Sequence, residues 1–185
     1  MKVYASVLSG RSDLDFSIIG GPLEAPDDHI LLFAALGFAG SAWARMEQQL
    51  DIVLIHLNKE RRSAALYQLE YPVAFDRKIK LAKRWFNQYP PLKSYQADIR
   101  IFTSKIKEIA PIRNYLFHSI LQEWDAEKQV ATMQTVKFEG DDNFRVQRRA
   151  VSLKTIKTFG RLANAGNKFL SHVTLKIFAD AALRI

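Results

Sequence analysis

The chain has 185 residues, 48% of them hydrophobic, enough for one domain whose core needs no covalent staples. It contains no cysteine, which excludes disulfides and thiolate chemistry. Lysine and arginine number 27 against 19 aspartates and glutamates, and the resulting net charge of +8 permits nucleic-acid binding without requiring it.

Residues 1–26 mix glycine, proline and short apolar pairs. They read as an N-terminal arm, with at most a short strand over Phe16–Ile19. No secretory leader is expected, because charges and glycines stand where its apolar segment would lie. The first helix opens at Asp27 or Asp28, either of which suits an N-cap, and runs to about Asn58. Leu32, Leu36, Ala39, Trp43, Met46, Leu50, Val53 and Leu57 recur every three or four residues and mark one buried face. Gly37, Gly40, Ser41 and Ala42 are small enough for a second helix to approach closely. The most apolar run, Ile30–Ala44, stops at Arg45, short of the roughly 20 apolar residues that span a membrane. The expectation is a core helix of a soluble, cytoplasmic protein with no membrane contact.

A second helix is expected over about Ala74–Tyr89, with Phe75, Ile79, Ala82 and Phe86 on one face and "YPPL" ending it. Arg77, Lys78, Lys80, Lys83 and Arg84 fill much of the rest. That basic set is either a solvated face or an RNA-binding phosphate track whose affinity falls with salt. A third helix is expected over about Tyr95–Gln122, with a kink or a fresh start near Pro111. The period then changes. Val130–Phe138 and Phe144–Val151 flank "EGDDN" and predict a β-hairpin. Ser152 or Thr155 caps a last helix that runs to about Leu183, in which Gly160 and Gly166 weaken the helix or admit a close neighbour. The expected fold class is all-α, a four- to five-helix up-and-down bundle over residues 27–185, with a small β-hairpin (about 130–151) inserted before the last helix.

One position breaks the pattern. At about 100° per residue, Phe102, Ile106, Ile109, Leu116, Phe117 and Ile120 all fall within roughly 60° of Arg113. A guanidinium in an apolar stripe costs several kcal/mol unless something pairs with it. Glu47 and Asp51 on the first helix are candidate partners. The other reading is a groove that admits an anion, with Asn114 and His118 at its margin. His118 lies about 140° round the helix from Arg113, so a long arginine side chain is needed to join them.

Arg113-Asn114-Tyr115-Leu116-Phe117-His118 fits the R-x4-6-H motif, in its RN-x3-H form, of the HEPN superfamily. The sequence resembles that superfamily over about Asp28–Leu183 in helix order as well: a long first helix with tryptophan, a basic second helix, the motif on the third, a hairpin and a final helix. Pro111, two residues before the arginine, departs from the pattern. The resemblance implies a metal-independent endoribonuclease without cofactor, of a toxin–antitoxin or defence system. It implies a homodimer with two motifs facing across a cleft, and a nucleotidyltransferase-type antitoxin as partner. By position, His118 would transfer protons, Arg113 would bind the scissile phosphate, and Asn114 would orient the phosphate or the histidine. The alternative is a non-catalytic HEPN-like module that binds RNA, a nucleotide or a protein, with Arg113 holding the core together.

The chemistry is coherent in its own right. RNA carries its own nucleophile, the 2′-hydroxyl, imidazole moves protons near neutrality, and guanidinium offers phosphate a planar fork of donors. Elsewhere the sequence gives less. Arg145, Arg148 and Arg149 on the hairpin admit the same two readings as the second-helix cations, a solvated face or a phosphate track, with the solvated face favoured, and Trp43, Trp85 and Trp124 read as core or interface anchors. His29, His56 and His172 are scattered without metal-ligand spacing, so no metal site is expected.

Overall fold

The structure, a computed structural model, describes residues 27–59, 71–140 and 143–179. The arm over residues 1–26, the strand expected at Phe16–Ile19 and the turn residues Asp141 and Asp142 lie outside the described residues. So do the last few residues expected in the final helix.

The described protein is mostly helical, with a small sheet. Helix α1 spans Asp27–Lys59, α2 Phe75–Gln88 and α3 Gln96–Phe117; a 3-10 segment, Pro90–Tyr95, joins the last two. Strands β1 (Ile120–Asp125), β2 (Val130–Gly140) and β3 (Asn143–Ser152) precede helix α4, Leu153–Ala179. Four helices and the β2–β3 hairpin sit within a few residues of where periodicity predicts them. Ala74 and Tyr89 flank α2 in extended conformation, as a helix bounded by "YPPL" requires. Ser152 caps α4: its Oγ accepts the backbone N–H of Thr155 at 3.1 Å.

The sheet has three antiparallel strands in the order β1-β2-β3, one more than expected. The segment read as the end of the third helix, Ile120–Gln122, is strand. Helix α3 continues through Pro111 without a fresh start and stops at Phe117. His118 is its C-cap, with its N–H on the Asn114 carbonyl at 3.2 Å. The turn from β1 to β2 uses no glycine or proline. Asp125 Oδ1 accepts the Lys128 N–H at 2.9 Å, Asp125 Oδ2 pairs with Lys128 Nζ at 2.7 Å, and Gln129 takes a φ of 53°.

The core joins all four helices to the near end of the sheet. Leu32, Met46, Leu50 and Leu54 of α1, Trp85 and Phe86 of α2, and Phe159 of α4 are fully buried. Ala131, Met133 and Val151 continue the core into β2 and β3. Helices α1 and α4 pack closely at glycine. A Cβ on Gly160 would stand 2.8 Å from the Phe38 ring and 3.2 Å from the Ala39 Cα, and one on Gly166 would stand 3.0 Å from Met46 Sδ and Phe102. Among the described residues nothing stands within 4 Å of a Cβ placed on Gly37, which was expected to serve the same purpose.

Helix α1 also corrects the estimate of its apolar length. By length and composition, His29–Asn58 is apolar enough to cross a membrane, with 33% of the most apolar window buried in the protein. The unbroken run Ile30–Ala44 understates the stretch, because apolar residues resume beyond Arg45.

Candidate functional site

The motif sits where helix gives way to strand. Arg113 and Asn114 lie in the last turn of α3, and His118 is one residue past its end. Arg113 Nη1 donates to Asn114 Oδ1 at 2.9 Å and lies 3.1 Å from His118 Nε2. Guanidinium nitrogens only donate, so the His118 Nε2 accepts, which presents the neutral ring protonated on Nδ1. The long arginine side chain spans the angular gap that a regular helix would leave between positions 113 and 118.

Arg113 is half-buried at the margin of the core. Its helix neighbours Phe102, Ile106, Ile109 and Leu116 are buried, whereas Phe117 is partly exposed and Ile120 stands out on β1. The apolar stripe therefore ends at the motif rather than running past it. Among the described residues no carboxylate lies within ion-pair distance of Arg113.

Glu47 and Asp51, its expected partners, serve Lys78 instead. Lys78 Nζ lies 3.1 Å from Glu47 Oε1 and 2.9 Å from Asp51 Oδ2, and the residue is only 7% exposed. Trp43 Nε1 donates to Glu47 at 3.1 Å, and the Tyr71 hydroxyl donates to Asp51 at 2.7 Å. Burial works against the charged Lys78 amine, but the bonds and charges of Asp51 and Glu47 outweigh it and hold the amine above its ordinary range. Burial, followed by the Asp51 contact, drives the Tyr71 phenol well above its usual range. Lys78 is thus a core anchor between α1 and α2 and not part of an RNA-binding face. Its place in the helical pattern, three residues after Phe75, four before Ala82 and seven before Trp85, was the signal that it points inward.

The rest of the basic set separates. Arg77, Lys80 and Arg84 line one depression of about 860 Å³ with Tyr71 and Val73. Lys83 is half-buried. Lys80 also borders a second depression of about 740 Å³, which Lys107, Arg113 and Asn114 share with the acidic Glu47 and Asp76.

A third cleft, about 610 Å³, opens on the other side of the motif. Pro111, Asn114, Tyr115 and His118 form its helical wall; Thr135, Lys137, Gln147 and Arg149 form its sheet wall. Tyr115 holds the two walls together. Its hydroxyl donates to the Met133 carbonyl, with the Arg149 carbonyl 3.3 Å away, and the Arg149 guanidinium covers its ring at 5.2 Å from the centroid. Burial is the main reason its phenol is held above the ordinary range, so it stays a donor. Sequence reading left Tyr115 and Lys137 without a role, and for Arg149 favoured solvated surface over a phosphate track. The one available signal was the two-residue alternation of the hairpin. The three tryptophans are buried, as expected of anchors. Comparison with protein-family models, curated proteins and solved structures gives no match.

Proposed function

We propose that the protein is a HEPN-like, metal-independent endoribonuclease of the cytoplasm, an up-and-down helical bundle carrying its site at the end of the third helix. The observation that carries the reading is the joined trio: Arg113 bonded to both Asn114 and His118, free of any carboxylate among the described residues, beside an open cleft. A guanidinium with no ion-pair partner among the described residues, at the edge of a surface depression that Glu47 and Asp76 also border, suits a visiting phosphate.

In this reading a phosphate of the bound strand takes the Arg113 guanidinium. Arg113 then releases the His118 Nε2 that it covers in the free protein. His118, neutral, accepts the proton of the adjacent 2′-hydroxyl. The 2′-oxygen forms a bond to phosphorus and the bond to the 5′-oxygen breaks, leaving a 2′,3′-cyclic phosphate and a 5′-hydroxyl whose proton comes from water, and the hydroxide so formed takes the proton from His118 and restores the neutral ring. Arg113 faces the phosphoryl oxygens as charge builds on them, and Asn114 fixes the guanidinium plane. Arg77, Lys80 and Arg84 contribute flanking positive surface. The toxin–antitoxin setting, the homodimer and a nucleotidyltransferase-type antitoxin belong to the same proposal. Burial of the Leu32, Met46, Leu50 and Leu54 face supports α1 as a core helix in it.

The test is a strand carrying one 2′-deoxynucleotide at a mapped cut site. Cleavage lost at that position alone, in EDTA, supports the reading; cleavage that persists there contradicts it.

A further inference from the structure

The β2–β3 hairpin changes character halfway along. Register pairs Ala131 with Val151, Met133 with Arg149, Thr135 with Gln147 and Lys137 with Arg145 on one face. At the helical end that face is core: Ala131, Met133 and Val151 are buried. Beyond it the same face is polar and cationic. The opposite face does the reverse, with Val136 opposite Val146 and Phe138 opposite Phe144, exposed by 52%, 53%, 63% and 65%. A hairpin that packs one face on a core places apolar side chains inward along its whole length. Here the inward polar residues coincide with the cleft: Thr135, Lys137, Gln147 and Arg149 all line it.

Charge decides which way a strand would run from the motif. The depression leading toward α2, which Arg113 itself lines, is bordered by Glu47 and Asp76 as well as by Lys80 and Lys107. Among the described residues the sheet-side cleft is lined by no carboxylate, and carries His118, Lys137 and Arg149. Stacking on Tyr115 holds the Arg149 guanidinium at the cleft wall.

We infer that the inner face of the β2–β3 hairpin is the second RNA-binding wall of the site, with Lys137 and Arg149 holding phosphates of the nucleotides next to the one at Arg113 and His118. The RNA leaves the motif over the sheet, and the α2 cations contribute less. This rests on the ribonuclease reading for the identity of the polyanion, and its test is binding rather than cleavage.

The probe is a fluorescent, mixed-sequence 2′-O-methyl strand, which has no free 2′-hydroxyl to attack, followed by anisotropy over a range of salt concentrations. Lys137→Gln and Arg149→Gln are expected to weaken binding by roughly three- to tenfold each and to flatten the salt dependence by about 0.7 per lost contact. Arg77→Gln and Arg84→Gln are expected to do less. Lys137 is exposed and has no bonded partner among the described residues, so its variant keeps the fold even if Arg149→Gln, which also removes the Tyr115 stack, does not. Lys137→Gln with wild-type affinity and slope overturns the wall, as does larger damage from the α2 variants. A wild-type protein that binds no strand overturns it too. Binding that depends on Lys137 without any cleavage of ordinary RNA keeps the wall and removes only the ribonuclease reading.

Discussion

Arg113 Nη1 lies 3.1 Å from His118 Nε2, and the two side chains come from opposite sides of a helix end. The contact exists because α3 stops at Phe117 and because arginine is long enough to cross from the flank of the helix to its cap. It leaves the guanidinium with two neutral partners and no counter-ion among the described residues. That is the state in which an arginine gains most from an arriving phosphate.

Lys78 separates packing from binding within the basic helix. Lys78→Met strands Glu47 and Asp51, one turn apart on α1, without their cation. Both carboxylates keep some solvent, so the loss is expected to be about 2–4 kcal/mol, at or below the range for a broken buried pair. Thermal unfolding is expected to drop by roughly 5–15 °C. Affinity for RNA, measured on the fraction that remains folded, is expected to stay within about twofold, since the amine does not reach the surface grooves.

The same cluster predicts an alkaline weakness. Lys78 and Tyr71 both have folded-state values raised above their ordinary ones. Each therefore contributes stability that is complete below its unfolded value, near pH 10, and is lost as pH rises toward the folded value. Urea midpoints of the wild type are expected to hold between about pH 7 and pH 9 and to fall above about pH 10. Lys78→Met is expected to start lower and fall less steeply. Parallel curves would contradict the assignment.

Tyr115→Phe removes the hydroxyl that ties α3 to the Met133 carbonyl. Loss of one such bond is expected to cost about 1–2 kcal/mol. Because the bond sets the spacing of the two cleft walls, RNA cleavage is expected to slow by roughly tenfold while circular dichroism is unchanged. A stability change without a change in rate would make the tyrosine a packing residue only.

Two glycines on packed helices should respond in opposite directions. Gly166→Val drives a branched side chain against Met46, Phe102 and Ile106 and is expected to cost about 1–3 kcal/mol. Gly37→Ala, with nothing within 4 Å of the new methyl, is expected to stabilise α1 by about 0.5–1 kcal/mol. Denaturant midpoints of the two variants check both signs.

The helices were legible because their apolar residues return every three or four positions over long stretches, as with Leu32 through Leu57. The hairpin was legible from its glycine-aspartate turn. Strand β1 was not, since Ile120, Leu121 and Trp124 extend the helical spacing of α3 and the turn after it is made by Asp125 and Lys128 instead of glycine. The motif residues could be named from the sequence, but their geometry could not. A regular helix puts His118 about 140° from Arg113, and only the helix end at Phe117 brings them together. Lys78 was misread because a set of five cations looks uniform until one of them is seen to share a face with Ala82 and Trp85. Lys137 was passed over, and the phosphate-track reading of Arg149 was ranked second, because a charged alternation on a hairpin is ordinarily solvent surface; here that surface faces the motif.

The most direct test compares wild type, His118→Ala and Arg113→Lys, each shown to be folded, on 5′-labelled mixed RNA in EDTA, with the termini of the products determined. The account predicts that the wild type leaves 2′,3′-cyclic phosphate ends. It also predicts that His118→Ala is slower by about 10²–10⁴-fold, and Arg113→Lys, which loses the planar fork, by about 10²-fold or more. Equal cleavage by all three folded proteins, or none by the wild type, contradicts it.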